Sequence, residues 1–277
     1  MTTKRDVCLG WQPVQDCQGR GQPYTNTLYI GRSNNRGASF YTTNLTHLVS
    51  NGGTNLFTRS ITAPSTDLFF GGVPELAVNP ANGYLYYAYY DRPASGTNRP
   101  NIYLRQLTNG VDWSEPIQVN VEPGGIATDQ WQPAMTVKPD GTKLFIAWYD
   151  RRDDPTNHYL IRMYGAFAAL PITSTNAFAT NFPISTAAFP PVFTGTTMTG
   201  TNQFDPVYPP YFRNDGTDCP TFSGASSVYM GDYDRAFSDN NYVHYTWGDN
   251  RNRYTNLVSG IARNQADVRF IRLSWPH

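Results

Sequence analysis

Two stretches of the chain are variants of one another, and this constrains the fold more than any other feature. Residues 73–93 read VPELAVNPANGYLYYAYYDRP, and residues 132–152 read QPAMTVKPDGTKLFIAWYDRR. Pro74 aligns with Pro133, Val78 with Val137, Pro80 with Pro139, and Asn82-Gly83 with Asp140-Gly141. Self-similarity at a fixed period marks a fold built by stacking one supersecondary unit. Asn-Gly and Asp-Gly between alternating apolar runs predict a tight hairpin turn, so each unit opens with two antiparallel strands. A third copy begins at Gly231, GDYDRAFSDNNYVHYTWGDNR, with Asp239-Asn240-Asn241 at its turn. In all three copies the second strand ends in a charged corner: Asp91-Arg92, Asp150-Arg151-Arg152 and Asp249-Asn250-Arg251. A third strand is expected after each corner, at residues 101–107, 158–168 and 267–275.

The amino-acid usage fits such a fold. The chain has 277 residues, enough for a sizeable core, and aromatic residues make up 14% against 15% charged. Much of the remaining polarity is Thr, Asn, Ser and Gly, which favours strands and turns over helices. With 23 Gly and 21 Pro, long helices are not expected. The formal net charge is zero and no basic run occurs, which argues against nucleic acid as a partner. The 21 cations are 18 Arg and 3 Lys. That bias reflects either habitat or recognition of an acidic ligand by the planar guanidinium fork. No apolar run of membrane-spanning length is present, so no membrane span is expected. The start, MTTKRDVCLG, has no apolar leader segment. The three cysteines are Cys8, Cys17 and Cys219. A Cys8–Cys17 disulfide and three separate thiols are both open.

Residues 28–40, LYIGRSNNRGASF, place Ser33, Asn35, Gly37 and Phe40 in the spacing S-x-N-x-G-x-x-F. This resembles the Asp-box, S-x-D-x-G-x-[TS]-[WF], of sialidase-like BNR-repeat β-propellers, with Asn35 where that family has Asp. The wider units, A-W-Y-D-R-R and G-D-Y…W-x-D-x-R, are similar to the same family, and the resemblance covers most of the chain. It implies an all-β fold: a β-propeller of four-stranded antiparallel blades around a channel, with about four blades recognisable here. It also implies an extracellular or periplasmic location. Residues 1–277 then form a single domain with a Pro/Thr/Gly-rich insertion at 187–227, read as an ordered lid or packing loop. An N-terminal strand would close the last unit as its fourth. The Asp-box residues Ser33, Asn35, Gly37 and Phe40 would be structural, on the face away from the ligand, with Glu115 and Glu122 on that same face.

On the ligand face the resemblance gathers the corners and the loops between units. The candidate ligand-binding residues are Asp91, Arg92, Asp129, Trp131, Asp150, Arg151, Arg152, Asp232, Tyr233, Asp249 and Arg251. Flat aromatic faces stack on sugars, and charged groups bind hydroxyls or acids. An open rim would expose Trp131 or Tyr233, and Arg251 would point over the channel mouth. The bland alternative is that each Asp ties its own turn, since a corner repeated in every unit suits architecture better than chemistry.

Sialidases use a Tyr nucleophile, a Glu that activates it, an Asp acid/base and three Arg. The family's R-I-P segment is missing here. Of the three Glu, only Glu75, at the start of a first strand, is a credible catalytic base. No cofactor is expected. Calcium at Asp150, Asp153, Asp154 and Asn157, or at Asn214, Asp215 and Asp218, has suitable oxygen donors but no EF-hand spacing. Three functions stand: a non-catalytic or degenerate propeller binding a glycan or protein through its Asp/Arg/aromatic rim, an active glycoside hydrolase acting on acidic sugars, and a component of an oligomer or larger assembly. Catalysis predicts a carboxylate of perturbed pKa beside a Tyr or a second carboxylate.

Overall fold

The computed structural model describes residues 7–11, 29–33, 35, 37–39, 41–44, 58–59, 67–68, 74–91, 100–110, 112–125, 128–155, 160–189, 234–255 and 262–276. Arg92, Asp232, Tyr233, Phe40, Cys17, Cys219 and most of the 187–227 insertion lie outside the described residues.

Among the described residues, every long element is a strand. The first sheet is β1 (Val7–Trp11), β2 (Tyr29–Ser33) and β3 (Tyr41–Asn44), paired in that order. Two short strands, β4 (Thr58–Arg59) and β5 (Asp67–Leu68), pair with each other. The second sheet is β6 (Glu75–Val78), β7 (Leu85–Asp91), β8 (Asn101–Leu107) and β9 (Ile117–Gln118). The third is β10 (Gln130–Val137), β11 (Lys143–Asp150), β12 (Arg162–Ala169) and β13 (Asn181–Pro183). The fourth is β14 (Arg235–Ser238), β15 (Tyr242–Thr255) and β16 (Ala262–Ser274). All pairings are antiparallel between chain neighbours, so each sheet is an up-and-down meander. The N-terminal strand was expected to complete the last unit. Instead β1 pairs with β2, Cys8 opposite Arg32.

The repeat is visible in the turns. Gly83 (φ 77°) and Gly141 (φ 75°) both take the left-handed conformation that glycine adopts without penalty. Each lies in a loop longer than the tight turn expected. Asn79 N–H bonds the Tyr84 carbonyl and Gly83 N–H the Asn79 carbonyl, while Lys138 N–H bonds the Lys143 carbonyl and Gly141 N–H the Lys138 carbonyl. The proline two or three residues before each glycine fixes φ for the first half of the loop. In the fourth sheet a tighter turn is held by Asp239, whose Oδ1 accepts from the N–H groups of Asn241 and Tyr242, each at 2.7 Å.

The sheets pack in sequence order. β10 lies against β6, β7 and β8 on one side and β14 on the other, and β1 lies against β6. The centre is β11, buried from Leu144 to Asp150 on both faces, as its near-continuous apolar run requires. Trp148, Tyr149, Phe145, Trp131 and Tyr245 are each 1% exposed or less. Trp131 stacks on Tyr149 with ring centroids 5.6 Å apart and planes 10° apart. Polar sutures join neighbouring sheets. The Gln106 amide bonds both the carbonyl and the N–H of Ile172, and Thr136 meets Ser238 at 3.1 Å. Ser33 and Asn35 organise the β2–β3 turn: Ser33 Oγ accepts from Gly37 N–H at 2.7 Å, and Asn35 Oδ1 accepts from Ser39 N–H at 2.9 Å.

Candidate functional site: a carboxylate pair at the starts of the first strands

The charged corners turn inward on themselves. Asp150 accepts from the Trp148 indole at 2.8 Å, from Arg152 N–H at 2.7 Å, and from the Arg152 guanidinium through Nε (2.8 Å) and Nη2 (2.6 Å). Asp249 repeats this with the Trp247 indole at 3.4 Å, Arg251 N–H at 2.9 Å and Arg251 Nε at 2.8 Å, and Arg251 Nη2 closes the fork. The spacing W-x-D-x-R is thus a closed lock, with both carboxylates fully buried. Arg152 lies over the Tyr164 ring at 4.2 Å and bonds Asn181. Arg151, also fully buried, meets Asp129 at 3.5 Å and lies over Trp131.

Three expectations are corrected by this geometry. Trp131, expected on an open rim, is 1% exposed, with Tyr149 stacked on it and the Arg151 guanidinium over its ring. Arg251, expected over a channel mouth, folds back two residues onto Asp249, which offers a bidentate acceptor. Glu122, expected on the far face, lies within electrostatic reach of Asp150 and Arg152. Burial raises its pKa first, and the Asp150 charge adds to that. Asp129, Asp150, Arg151, Arg152, Asp249 and Arg251 sit at the same edge of their sheets but spend the contacts described above within the fold. Asp91 pairs through its backbone with Asn101 at the end of β7.

A different group converges at the beginnings of β6, β10 and β14. Glu75 opens β6 and receives Arg235 Nη1 at 2.6 Å from the start of β14, with side chains 19% and 57% exposed respectively. The residue before Arg235, Asp234, is buried. Its Oδ2 accepts from the Gln132 amide at 3.1 Å, and its Oδ1 meets the Tyr149 hydroxyl at 3.1 Å and Gly248 N–H at 3.3 Å. Gln132 reaches it from a bulge in β10 between Trp131 and Ala134 and carries a φ of 51°, a left-handed backbone at a residue other than glycine. Bulges and strained backbones of this kind re-aim side chains at functional sites.

Both carboxyls hold protons unusually well. Burial pushes Glu75 up from 4.5 to about 7, with Arg235 pulling the other way. Burial likewise pushes Asp234 up from 3.8 to about 7. The Glu75 charge adds to this, and bonds from Tyr149, Gly248 and Gln132 oppose it. Tyr149 and Tyr245 lie beside them, fully buried, and burial together with the Asp234 charge drives both phenols well above 10. Both stay protonated, and Tyr149 serves as a donor to Asp234 Oδ1. Two carboxyls that titrate near neutrality can give and take a proton at neutral pH. Of the candidates named from the sequence, Glu75 belongs to this cluster. Asp234, Gln132, Tyr149 and Tyr245 were missed as site residues, and their only sequence signal was a place in the loops and strands beside the corners.

Among the described residues, no cluster of His, Cys, Asp and Glu could hold a metal, and no helix is long and apolar enough to cross a membrane. Asp153 bonds Arg162 and Tyr164, and Asp154 caps Leu160 N–H.

No family model matches the chain, and no curated protein does. Among solved structures it is similar to an alpha-L-arabinanase of Penicillium chrysogenum complexed with arabinobiose: TM-score 0.48, 12% identity, 94% of this chain and 59% of that one. It is also similar to an alpha-L-arabinofuranosidase of Fusarium graminearum in complex with an iminosugar inhibitor: TM-score 0.43, 12% identity, 95% and 71%. A Hadza microbial sialidase gives TM-score 0.42 and 11% identity, with 98% and 42% covered. The chain therefore spans less than two thirds of the length of that arabinanase.

Proposed function

We propose that this chain is a sialidase-like β-propeller that cleaves a glycosidic bond, with Glu75 as the group that exchanges a proton with the sugar. The observation that carries the reading is the pair of carboxyls, Glu75 and Asp234, each raised to about 7 in one cluster with buried phenols. Glu75 is the member with partial access to solvent, so it is the one that reaches a ligand. Asp234, behind it, keeps the local charge low when protonated and high when ionised. Tyr149 is fully buried and bonded to Asp234, so it acts as a positioning residue and is out of reach as a nucleophile. The propeller and the glycan come from the motif resemblance, since a fold by itself does not name a reaction.

The second reading, glycan binding without turnover, draws on the same edge of the sheets. It is weakened by Trp131, Asp150, Arg151 and Asp249, the intended rim, all being buried in contacts of their own.

A panel of chromogenic aryl glycosides, including a sialoside and an arabinofuranoside, separates the two. On the cleaved substrate, Glu75→Gln should lower kcat by roughly 10²–10⁴-fold, the contribution of a positioned acid or base. Turnover by the variant at the parent rate would remove Glu75 from the mechanism. A parent protein that binds glycans and cleaves none of the panel would favour the binding reading.

A further inference from the structure

The Tyr149 hydroxyl has one hydrogen and two acceptors. Asp234 Oδ1 stands 3.1 Å away and the Gly248 carbonyl also 3.1 Å away. Its lone pair is engaged as well, by Gly248 N–H at 3.0 Å. The other Asp234 oxygen, Oδ2, faces the amide nitrogen of Gln132, which can only donate. Oδ1 also meets Gly248 N–H, at 3.3 Å, but unlike Oδ2 it has an acceptor beside it, so a proton bound to Asp234 is placed on Oδ1, pointing at the Tyr149 oxygen.

We propose that Tyr149 is a proton toggle, which transmits the ionisation of Asp234 in the third and fourth sheets' shared site to the backbone of β15 at Gly248. When Asp234 is neutral, its Oδ1–H donates to the Tyr149 oxygen, and the Tyr149 hydrogen turns to the Gly248 carbonyl. When Asp234 is ionised, the Tyr149 hydrogen turns to Oδ1 and the Gly248 carbonyl loses its donor. No covalent bond changes except the O–H of Asp234, whose proton exchanges with solvent. Gly248 immediately precedes Asp249, so the toggle acts on the backbone that carries the second Trp-Asp-Arg lock. The groups that face Asp234 are Glu75 from β6, Gln132 from β10, Tyr149 from β11, Tyr245 and the Gly248 amide from β15, and Arg235 beside it. Titration of Asp234 near neutrality places the switch within the working range of a protein at ordinary pH.

The test needs no substrate, so its outcome is independent of the glycosidase reading. Protein labelled with carbonyl-¹³C glycine and ¹⁵N aspartate reports only Gly-Asp peptide bonds, of which the chain has Gly231-Asp232 and Gly248-Asp249. Gly231→Ala assigns them by deletion. Between about pH 5 and about pH 9 the Gly248 carbonyl should move sigmoidally, downfield on the acid side, with its midpoint at the Asp234 pKa. Asp234→Asn and Tyr149→Phe should each flatten the curve. In the parent protein the Tyr149 ring Cζ should titrate with the same midpoint, which keeps the test decisive if a variant fails to fold. A flat Gly248 carbonyl in the parent, or a curve that survives Tyr149→Phe, overturns the toggle.

Discussion

Asp150 and Asp140 show how far one residue type can differ in what it does. Asp150 is fully buried and gathers the Trp148 indole and the Arg152 guanidinium, whose side chain is 7% exposed. Asp140 pairs with Lys138 on the surface, at 2.5 Å, with its own side chain 40% exposed. Water screens the second pair and holds most of each charge already, whereas removal of Asp150 strands a buried cation and an indole N–H. Asp150→Ala should therefore cost about 3–5 kcal/mol in urea unfolding, the usual penalty for breaking a buried pair from one side. Asp140→Ala loses the screened pair with Lys138 and two exposed turn bonds from Thr142, and should cost less. An Asp150→Ala loss no larger than that of Asp140→Ala would mean that the Asp150 lock is not closed in solution. The lock itself was half legible: the recurrence of Trp-x-Asp-x-Arg pointed to architecture, and its offset of two residues puts Arg next to its own Asp. What the sequence hid was the burial of Trp131, because an aromatic in a between-unit loop reads equally well as a sugar platform or as core.

At the scale of elements, the first, second and third strands of each unit were readable and the outer ones were not. The segment NIYLRQL is β8 residue for residue, buried throughout except at the half-buried Tyr103 and Gln106. The outer strands β9 and β13 have two and three residues, too few for any periodicity to register. The two hairpin glycines look equivalent in sequence, yet the structure separates them. A Cβ on Gly83 would meet nothing within 4 Å, whereas one on Gly141 would lie 2.3 Å from Asn79 Oδ1 and 2.6 Å from Ala81 Cβ, both in the neighbouring sheet's turn. Asn79 also donates to the Gly141 carbonyl at 2.9 Å, so the two turns are clamped together. Gly83→Ala should cost about 1–2 kcal/mol, the penalty of a left-handed alanine. Gly141→Ala adds the clash and the loss of that clamp, and should cost at least about 1–3 kcal/mol more. Urea unfolding of the two variants side by side is the check, and similar losses would show that the turns do not touch.

Across the whole molecule, equivalent positions divide into those where the units agree and those where they differ. β7 and β11 end in Asp, β15 carries Asp249 at a bulge within the strand and runs on to Thr255, and at β11 and β15 that Asp is a structural lock. The starts of β6, β10 and β14 carry Glu75, a Gln132 bulge, and Asp234 with Arg235, and there the side chains from three sheets meet. Repetition builds the frame, and departures from it at one edge build the cluster, which is why a motif search finds the first and passes over the second. The two classes should respond oppositely to pH and mutation. A carboxyl whose folded pKa lies above its unfolded value favours folding fully below the unfolded value, and that advantage is lost as pH rises through the folded one. For Asp234 the window runs from 3.8 to about 7, and for Glu75 from 4.5 to about 7. Stability should therefore fall as pH rises across that window, by on the order of 3 kcal/mol for each group. Above it, Glu75→Gln and Asp234→Asn remove the cost of a buried charge and should raise the thermal midpoint, even as Glu75→Gln lowers turnover. Asp150→Ala should lower the midpoint at every pH. Thermal unfolding of the parent and these three variants at about pH 5 and about pH 8 decides it. A Glu75→Gln protein less stable than the parent on the alkaline side would make Glu75 a strut like Asp150, and the carboxylate pair would cease to be a site.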